Sequence, residues 1–402
     1  MKISREPLYL SAAEAAAELS ISPATLYAYV SRGLVRSEPS LESRARRYRA
    51  DDVRALKNRR APPGMPRDGE IEATILETAV STITAVGPVY RGVAAVRLAE
   101  NASLEQAATL LWDASAVDPF AAGNLPSISA AMRAVAVATQ DEPPVGRAIA
   151  MLALAGAADP RAFNRTADGR AQVGARVLRL TAAAILGTEP SAAPLHRQVA
   201  EAWVPEMPAA GDLLRRALVL LADHELNAST FTVRSAASTG LNLYDATIAG
   251  LVALKGPRHG GAATLAAHFV ADLATGDAAG KIRDRVALGA PVPGFGHVVY
   301  TEGDPRADDL LAALARADPG NLLASEVPAL ISEATGLRPN IDFALAVTMR
   351  TLGLPIGHEM SLFAIARVAG WVAHAIEQLQ SDRLMRPRAR YVGPAPVETA
   401  GG

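Results

Sequence analysis

Among its 402 residues the chain has no cysteine. That excludes disulfides, thiolate metal sites and a cysteine nucleophile, and leaves the redox compartment open. Charge of either sign is nearly balanced, at a net of −1, so nothing global points to nucleic acid or to a membrane surface. Long hydrophobic runs are also missing. A stretch such as "AIAMLALAGAA" (148–158) falls well short of the ~18 apolar residues of a membrane span. The first twenty residues, "MKISREPLYLSAAEAAAELS", lack a charged n-region followed by an apolar h-region. The expectation is a soluble, cytoplasmic protein with no membrane partner. What is abundant is apolar residues, at 50%, enough for two or three domains with real cores.

The small net charge hides an uneven distribution. Residues 1–60 hold 12 Lys/Arg against 7 Asp/Glu, a net of +5, and the remainder hold 28 against 34, a net of −6. Between them, "RRAPPGMPRDGE" (59–70) carries three prolines and two glycines, which a continuing helix does not tolerate. A small basic module over 1–60, a linker at 61–69 and one large body follow. The body is rich in Ala and Leu with helical periodicity, as in "SLEQAATLLWDAS" (103–115). Strand signals are few, and "STITAVGPVYRG" (81–92) is the best short hairpin. The fold class is mainly α, a helical bundle rather than an α/β sheet.

In the basic module, "YLSAAEAAAELSISPATLYAYVSRGLVRSEP" reads as helix, tight turn, helix. Ser11 caps the first helix with Glu14 at the capping-box position, and Ser22 caps the second with Pro23 at its first position. "SLESRARRYRADDVRAL" adds a basic turn and another helix. The module resembles the winged helix-turn-helix of the MerR and excisionase type over about residues 8–57. The resemblance implies a second helix in the major groove and basic wing residues on phosphates. Arg32, Arg36, Arg44, Arg46, Arg47 and Arg49 are the candidate DNA contacts. The plainer alternative is a solvated basic face on a docking module.

Three of the seven histidines have unusual surroundings. His224 lies in "ADHELNASTFTVRSAAST", His259 in the glycine-flanked "LKGPRHGGAAT", and His297 in "GFGHVVYTEGDPR". His196, His268, His358 and His374 lie on helical or surface-like patterns and read as structural. Several familiar chemistries fail at these sites. "HELNA" starts like a zinc-protease HExxH, but position 228 is Ala, so the second ligand is missing. "GFGH" is too short for a dinucleotide fingerprint, and there is no G-x-S-x-G elbow or P-loop. No metal site is expected.

Taken together and in order, "DHELNAST", "GPRHGG", "GFGHVVY…DPRA", "PNIDFALA" (339–346), "AIARVAGWVAHAIEQ" (364–378) and "RPRARYVG" (386–393) resemble the citrate synthase family. Upstream, "ETAVSTI…VYRG…SLEQAATLLW" is similar to that family's N-terminal hairpin and first helices, so the resemblance covers about residues 70–395. It implies a two-domain helical fold, with a large domain over 70–258 and 355–402 and a small domain over 259–354. The implied chemistry is condensation of acetyl-CoA with oxaloacetate, with acyl-CoA as substrate and no cofactor. Asp342 is then the base, His259 the donor at the thioester carbonyl and His297 the donor at the oxaloacetate carbonyl. His224, Arg306 and Arg367 would cradle oxaloacetate, and Arg386 would reach the other site of a homodimer. Standing alone, His224 or Asp342 reads as a helix-terminus residue and Arg367 as half of a surface ion pair.

The chain departs from the family's usual pattern at places that bear on CoA. Val298 and Thr301 stand where basic residues are common, and Lys255 precedes the "GPRHGG" turn while Arg258 lies within it. Two alternatives therefore accompany the main expectation: a 2-methylcitrate synthase using propionyl-CoA, and a DNA-binding regulator whose synthase body senses metabolites.

Overall fold

The computed structural model describes residues 9–19, 21–31, 35–39, 46–50, 52–53, 76–389 and 391–393. The chain divides into two compact units, Met1–Glu77 and Thr78–Gly402. The linker expected at 61–69 lies outside the described residues.

The first unit has strand β1 (Tyr9–Leu10), helices α1 (Ala12–Glu18) and α2 (Pro23–Ser31), and strands β2 (Ser37–Pro39) and β3 (Arg46–Arg49). Both expected caps form. Ser11 and Glu14 close a reciprocal capping box on α1, and Ser22 Oγ accepts the Thr25 N–H at 3.2 Å at the head of α2. The strands pair antiparallel in the order β1-β3-β2, with Glu38 opposite Arg47. Tyr48 turns inward from β3 to join Ala15, Ala16, Leu19, Leu26, Val35 and Val53 in a small core. The strand's pleat therefore sends Arg47 and Arg49 to the opposite face.

The second unit opens with the hairpin read from the sequence. Strand β4 (Ser81–Thr84) pairs with β5 (Gly87–Tyr90), and β6 (Val93–Ala94) extends the sheet. Gly87, at φ +95°, closes the turn in a region that suits glycine. Helices follow: α3 (Ala95–Asn101), α4 (Leu104–Leu111), α5 (Ala130–Ala138), α6 (Pro144–Ala158), α7 (Ala167–Leu186), α8 (Leu195–Trp203) and α9 (Ala210–Leu221). After them come α10 (Ala228–Ala237), α11 (Leu243–Leu254), α12 (Gly261–Leu273), α13 (Ala278–Ala287) and α14 (Pro305–Ala317). The last are α15 (Leu322–Ser325), α16 (Val327–Thr335), α17 (Ile341–Thr351) and α18 (His358–Ser381).

Helix α18 is the axis of the core and packs on α4, α7, α9, α10, α11, α12 and α17. By length and composition it is apolar enough to cross a bilayer, which the sequence reading did not expect. Arg367, Gly370 and His374 interrupt its apolar run, so no uninterrupted stretch stands out. Its most apolar window is 94% buried inside the protein, the position of a core helix rather than a lipid-facing one.

Candidate active site

Two glycines bend the chain around His297. Gly294 (φ +82°) and Gly296 (φ +78°) occupy the left-handed region, and a Cβ at Gly294 would lie 2.7 Å from that of Phe343. The turn is tied to the head of α17. Asn340 N–H donates to the Gly294 carbonyl at 2.9 Å, and Asn340 Nδ2 to the Gly296 carbonyl at 2.9 Å. Asn340 Oδ1 also caps α17 by accepting the Asp342 N–H at 3.0 Å. One side chain therefore sets the spacing between His297 and Asp342.

The ring state of His297 follows from its contacts. Its Nδ1 accepts the Val299 N–H at 3.0 Å and the Tyr300 N–H at 3.3 Å. A nitrogen that accepts carries no proton, so in the neutral ring the proton sits on Nε2, which is then the ring's donor. Burial, and then the Arg306 charge, lower the imidazole pKa and favour that neutral form.

Asp342 is the second residue of α17, and no hydrogen bond to its carboxylate is made among the described residues. Burial pushes its pKa up to about 6, with Arg306 opposing and Asp304 adding to the rise. A carboxylate with that affinity for protons is suited to general-base work near neutral pH.

Arg306 lies at the start of α14 and is almost fully buried, at 2% exposure. Its Nε and Nη2 form a fork on Asp304, at 3.0 and 2.8 Å. Asp304 caps α14 by accepting the Arg306 N–H at 3.1 Å, and its Oδ2 accepts the Ile341 N–H at 3.0 Å. Burial would raise the Asp304 pKa, but the Arg306 charge and these hydrogen bonds hold it below the ordinary value. Asp304 thus joins α14 to α17 immediately beside Asp342.

The opposite wall comes from α9, α10 and α18. His259, in the turn before α12, has its Nε2 2.7 Å from Ser229 Oγ, which also accepts the Trp371 Nε1–H at 3.2 Å. Burial and the Arg367 charge lower the His259 pKa to about 4, so the ring is neutral. His224 Nε2 lies 3.0 Å from the Tyr300 hydroxyl, and its ring centroid is 5.6 Å from that of His297. Burial, then Arg306 and Arg367, depress its pKa far below the usual imidazole range. Arg367 Nε donates to the Leu221 carbonyl at 2.9 Å, while its buried Nη1 has no hydrogen-bond partner among the described residues. Desolvation lowers the Arg367 pKa to about 10.

Six of the seven expected site residues therefore gather around one place: three neutral imidazoles, two buried guanidiniums and a carboxylate of raised pKa. The family model described as "Citrate synthase, C-terminal domain" matches residues 71–388. The chain belongs to the citrate synthase family. It is similar to the citrate synthase of Haloferax volcanii, 41% identical over 44% of this chain and 49% of that protein. It is also similar to 2-methylcitrate synthase 1 of Corynebacterium glutamicum, 37% identical over 44% of this chain and 49% of that protein. The chain spans about half the length of the curated relatives it matches. Among solved structures, the citrate synthase of Thermotoga maritima superimposes with a TM-score of 0.68 at 26% identity, over 84% of this chain and 98% of that one. The citrate synthase of Thermoplasma acidophilum, solved as a ternary complex with carboxymethyl coenzyme A and oxaloacetate, gives a TM-score of 0.67 at 26% identity, over 82% of this chain and 97% of that one.

Within this citrate synthase-family body, Arg386 stands apart from the other six. It lies beyond the end of α18, exposed, with no hydrogen bond or ion pair among the described residues. Sequence reasoning missed Asp304, Ser229, Tyr300 and Asn340, although each sits inside a quoted motif within five residues of an assigned one. His374, read as structural, is fully buried against Asp223.

In the basic unit, Arg36 is committed to Asp52 through Nε and Nη2, both at 2.8 Å. Arg46 bonds Ser37 through Nε at 3.0 Å. Arg47 lies 4.2 Å over the Tyr9 ring and 3.7 Å from Glu38. Arg49 is half-buried on β3. Arg32 and Arg44 lie outside the described residues.

Proposed function

We propose that the chain catalyses citrate synthase-type condensation of an acyl-CoA, foremost acetyl-CoA, with oxaloacetate, an acyl transfer in which the acyl group becomes an alkyl group. The observation that carries this reading is the Asn340 tie, which sets a neutral Nε2–H imidazole beside a carboxylate of raised pKa. Asp342 takes a proton from the carbon next to the thioester. His259 donates to the thioester oxygen as the enol forms, which requires its proton on Nδ1. That tautomer is the one in which the Ser229 hydroxyl donates a hydrogen bond to an unprotonated His259 Nε2, 2.7 Å away, rather than to Asn227 Oδ1 at 3.0 Å. The enol carbon attacks the oxaloacetate ketone while His297 donates its Nε2 proton to the ketone oxygen. Water then cleaves the thioester, releasing CoA and the tricarboxylate. Arg306, Arg367 and His224 hold the oxaloacetate carboxylates, and Arg386 completes the site of the partner in a homodimer. These steps are proton transfers and carbon–carbon bond formation, for which side-chain acids and bases suffice without a metal or redox cofactor.

In this reading the body has a large domain over 70–258 and 355–402 and a small one over 259–354. His224 and Arg367 then face His297, Arg306 and Asp342 across the cleft, with His259 at the boundary between the domains against Ser229, and closure excludes water. Propionyl-CoA is the second substrate to consider, because relatives named 2-methylcitrate synthase are as similar as several named citrate synthase. One methylene discriminates by only about 1–3 kcal/mol. Steady-state release of free thiol, with acetyl-CoA or propionyl-CoA plus oxaloacetate, tests the reading. Turnover with either supports condensation, the ratio of kcat/KM assigns the substrate, and no turnover with both refutes it.

The first unit is proposed to bind DNA as a MerR-like winged helix-turn-helix. The capped α1–α2 pair and the antiparallel β2–β3 ribbon bearing Arg46, Arg47 and Arg49 support this. Arg36 contributes least, since Asp52 neutralises it. Binding to duplex fragments should weaken steeply with salt, and replacing Arg46 and Arg47 with Ala should lower the slope by about one unit per lost phosphate contact. Salt-independent retention, or none, favours a docking module.

A further inference from the structure

Behind His224 and Arg367 lies a buried carboxylate to which the condensation steps give no role. Asp223 is fully buried, and both strands of the β4–β5 hairpin reach it. Ser81 and Tyr90 are cross-strand partners. The Ser81 hydroxyl donates to Asp223 Oδ2, and the Tyr90 hydroxyl accepts the Asp223 N–H at 3.2 Å. Asp223 Oδ2 also accepts the Glu225 N–H at 3.1 Å and faces His374 Nε2 at 3.4 Å.

The turn so held is strained. Glu225 has φ +51°, a left-handed conformation that suits glycine and is unfavourable for a residue with a side chain. His224 sits between this residue and Asp223, so the hydrogen bond from the Glu225 N–H to the Asp223 carboxylate spans it and fixes its direction. Helix α18 comes close on the other side. Gly370 N–H donates to the Ala222 carbonyl at 3.0 Å, and a Cβ at Gly370 would lie 2.1 Å from Asp223 Oδ1. Arg367, nearly one turn earlier on that helix, bonds the Leu221 carbonyl. Burial pushes the Asp223 carboxyl up, but His374, Arg367 and Ser81 more than offset it and keep the group ionised.

We propose that Asp223 is a positioning residue for oxaloacetate recognition: braced by Ser81 and His374, its carboxylate holds the strained turn that aims His224 and fixes the segment to which Arg367 is anchored. The proposal rests on the condensation reading. It makes the β4–β5 hairpin part of the substrate cradle, although no residue of the hairpin belongs to the reacting set.

The sign of one substitution tests it. Asp223→Asn keeps a side chain of the same shape but removes a negative charge. Loss of charge alone would tighten binding of the oxaloacetate dianion, whereas loss of positioning weakens it. The expected result is a rise in oxaloacetate Kd by calorimetry, and in its KM, of about ten- to a hundredfold, the worth of a hydrogen bond to a charged group. The acyl-CoA KM should stay within about twofold of wild type on the same scale. Ser81→Ala should shift oxaloacetate binding in the same direction by less, and it decides the question if Asp223→Asn does not fold. Unchanged or tighter oxaloacetate binding overturns the proposal, as does an equal rise in both KM values with a lowered melting temperature. Wild-type turnover alongside such a result leaves the condensation reading standing. Absence of wild-type turnover and oxaloacetate binding removes both.

Discussion

The two walls of the site handle buried charge in opposite ways. On the α14–α17 wall, Arg306 is matched by a two-point fork on Asp304, which also bonds α17, so its charge is neutralised within the protein. On the α18 wall, among the described residues, Arg367 bonds a carbonyl through Nε and leaves Nη1 buried without a partner. A buried donor without an acceptor costs about 1–3 kcal/mol, and a substrate carboxylate would relieve that cost. Under the proposed reaction, Asp304 on the closed wall keeps Asp342 and His297 in register while Arg306 contributes to the substrate cradle, and the open wall offers the larger unmet capacity for an anion. Rigidity and affinity would then be weighted toward different helices, and substitutions should separate them.

The largest effect is expected at the base. Asp342→Asn should lower kcat by about 10²–10⁴-fold, the share of a positioned general base, with oxaloacetate affinity nearly unchanged. Wild-type turnover in that variant would show that another group takes the proton. Next comes the closed wall itself. Asp304→Ala should cost about 3–5 kcal/mol of stability in urea unfolding, because it strands the buried Arg306 charge. Arg367→Met should cost less stability than that, yet weaken oxaloacetate binding by about 2–5 kcal/mol in calorimetry. The reverse ranking would mean that the open wall is the structural one.

A smaller effect concerns pH. The Asp342 pKa of about 6 requires kcat/KM to rise about tenfold per pH unit below 6 and to level off above it, since the base acts deprotonated. His259, at about 4, adds no limb between pH 6 and 8. A profile still falling at pH 7.5 on the acid side would contradict the assignment. The smallest effect is at the tie between the two catalytic groups. Asn340→Ala removes the cap of α17 and should cost about 0.5–2 kcal/mol, while lowering kcat more than it raises either KM. Equal changes in kcat and KM would make Asn340 only a helix cap.

The site was more legible than its supports. His224, His259, His297, Arg306, Asp342 and Arg367 were readable because motif spacing and the glycines around two of the histidines mark them. The hairpin at 81–92 was readable from its turn residues and β-branched positions. Asp304 was not, because a residue that serves as helix cap, guanidinium partner and acceptor for a second helix looks in sequence like any aspartate before proline. His374 and Arg367 illustrate a second limit. Helical periodicity says which residues share a face, but on a helix buried all round, polar residues point inward too. Their partners, Asp223 and the Leu221 carbonyl, lie about 150 residues away in the chain.

That separation has a bearing on how the protein is made. Ser81 lies 142 residues before Asp223, and His374 a further 151 residues on. Contacts of such long range form late and slowly, and helix α18, which fills the centre of the body, leaves the ribosome after every helix it packs on. Until it docks, the earlier helices expose the apolar faces it will cover, a state prone to aggregation. Nascent chains halted before residue 358 should therefore need chaperone protection, and the proposed substrate cradle would exist only once that helix has docked.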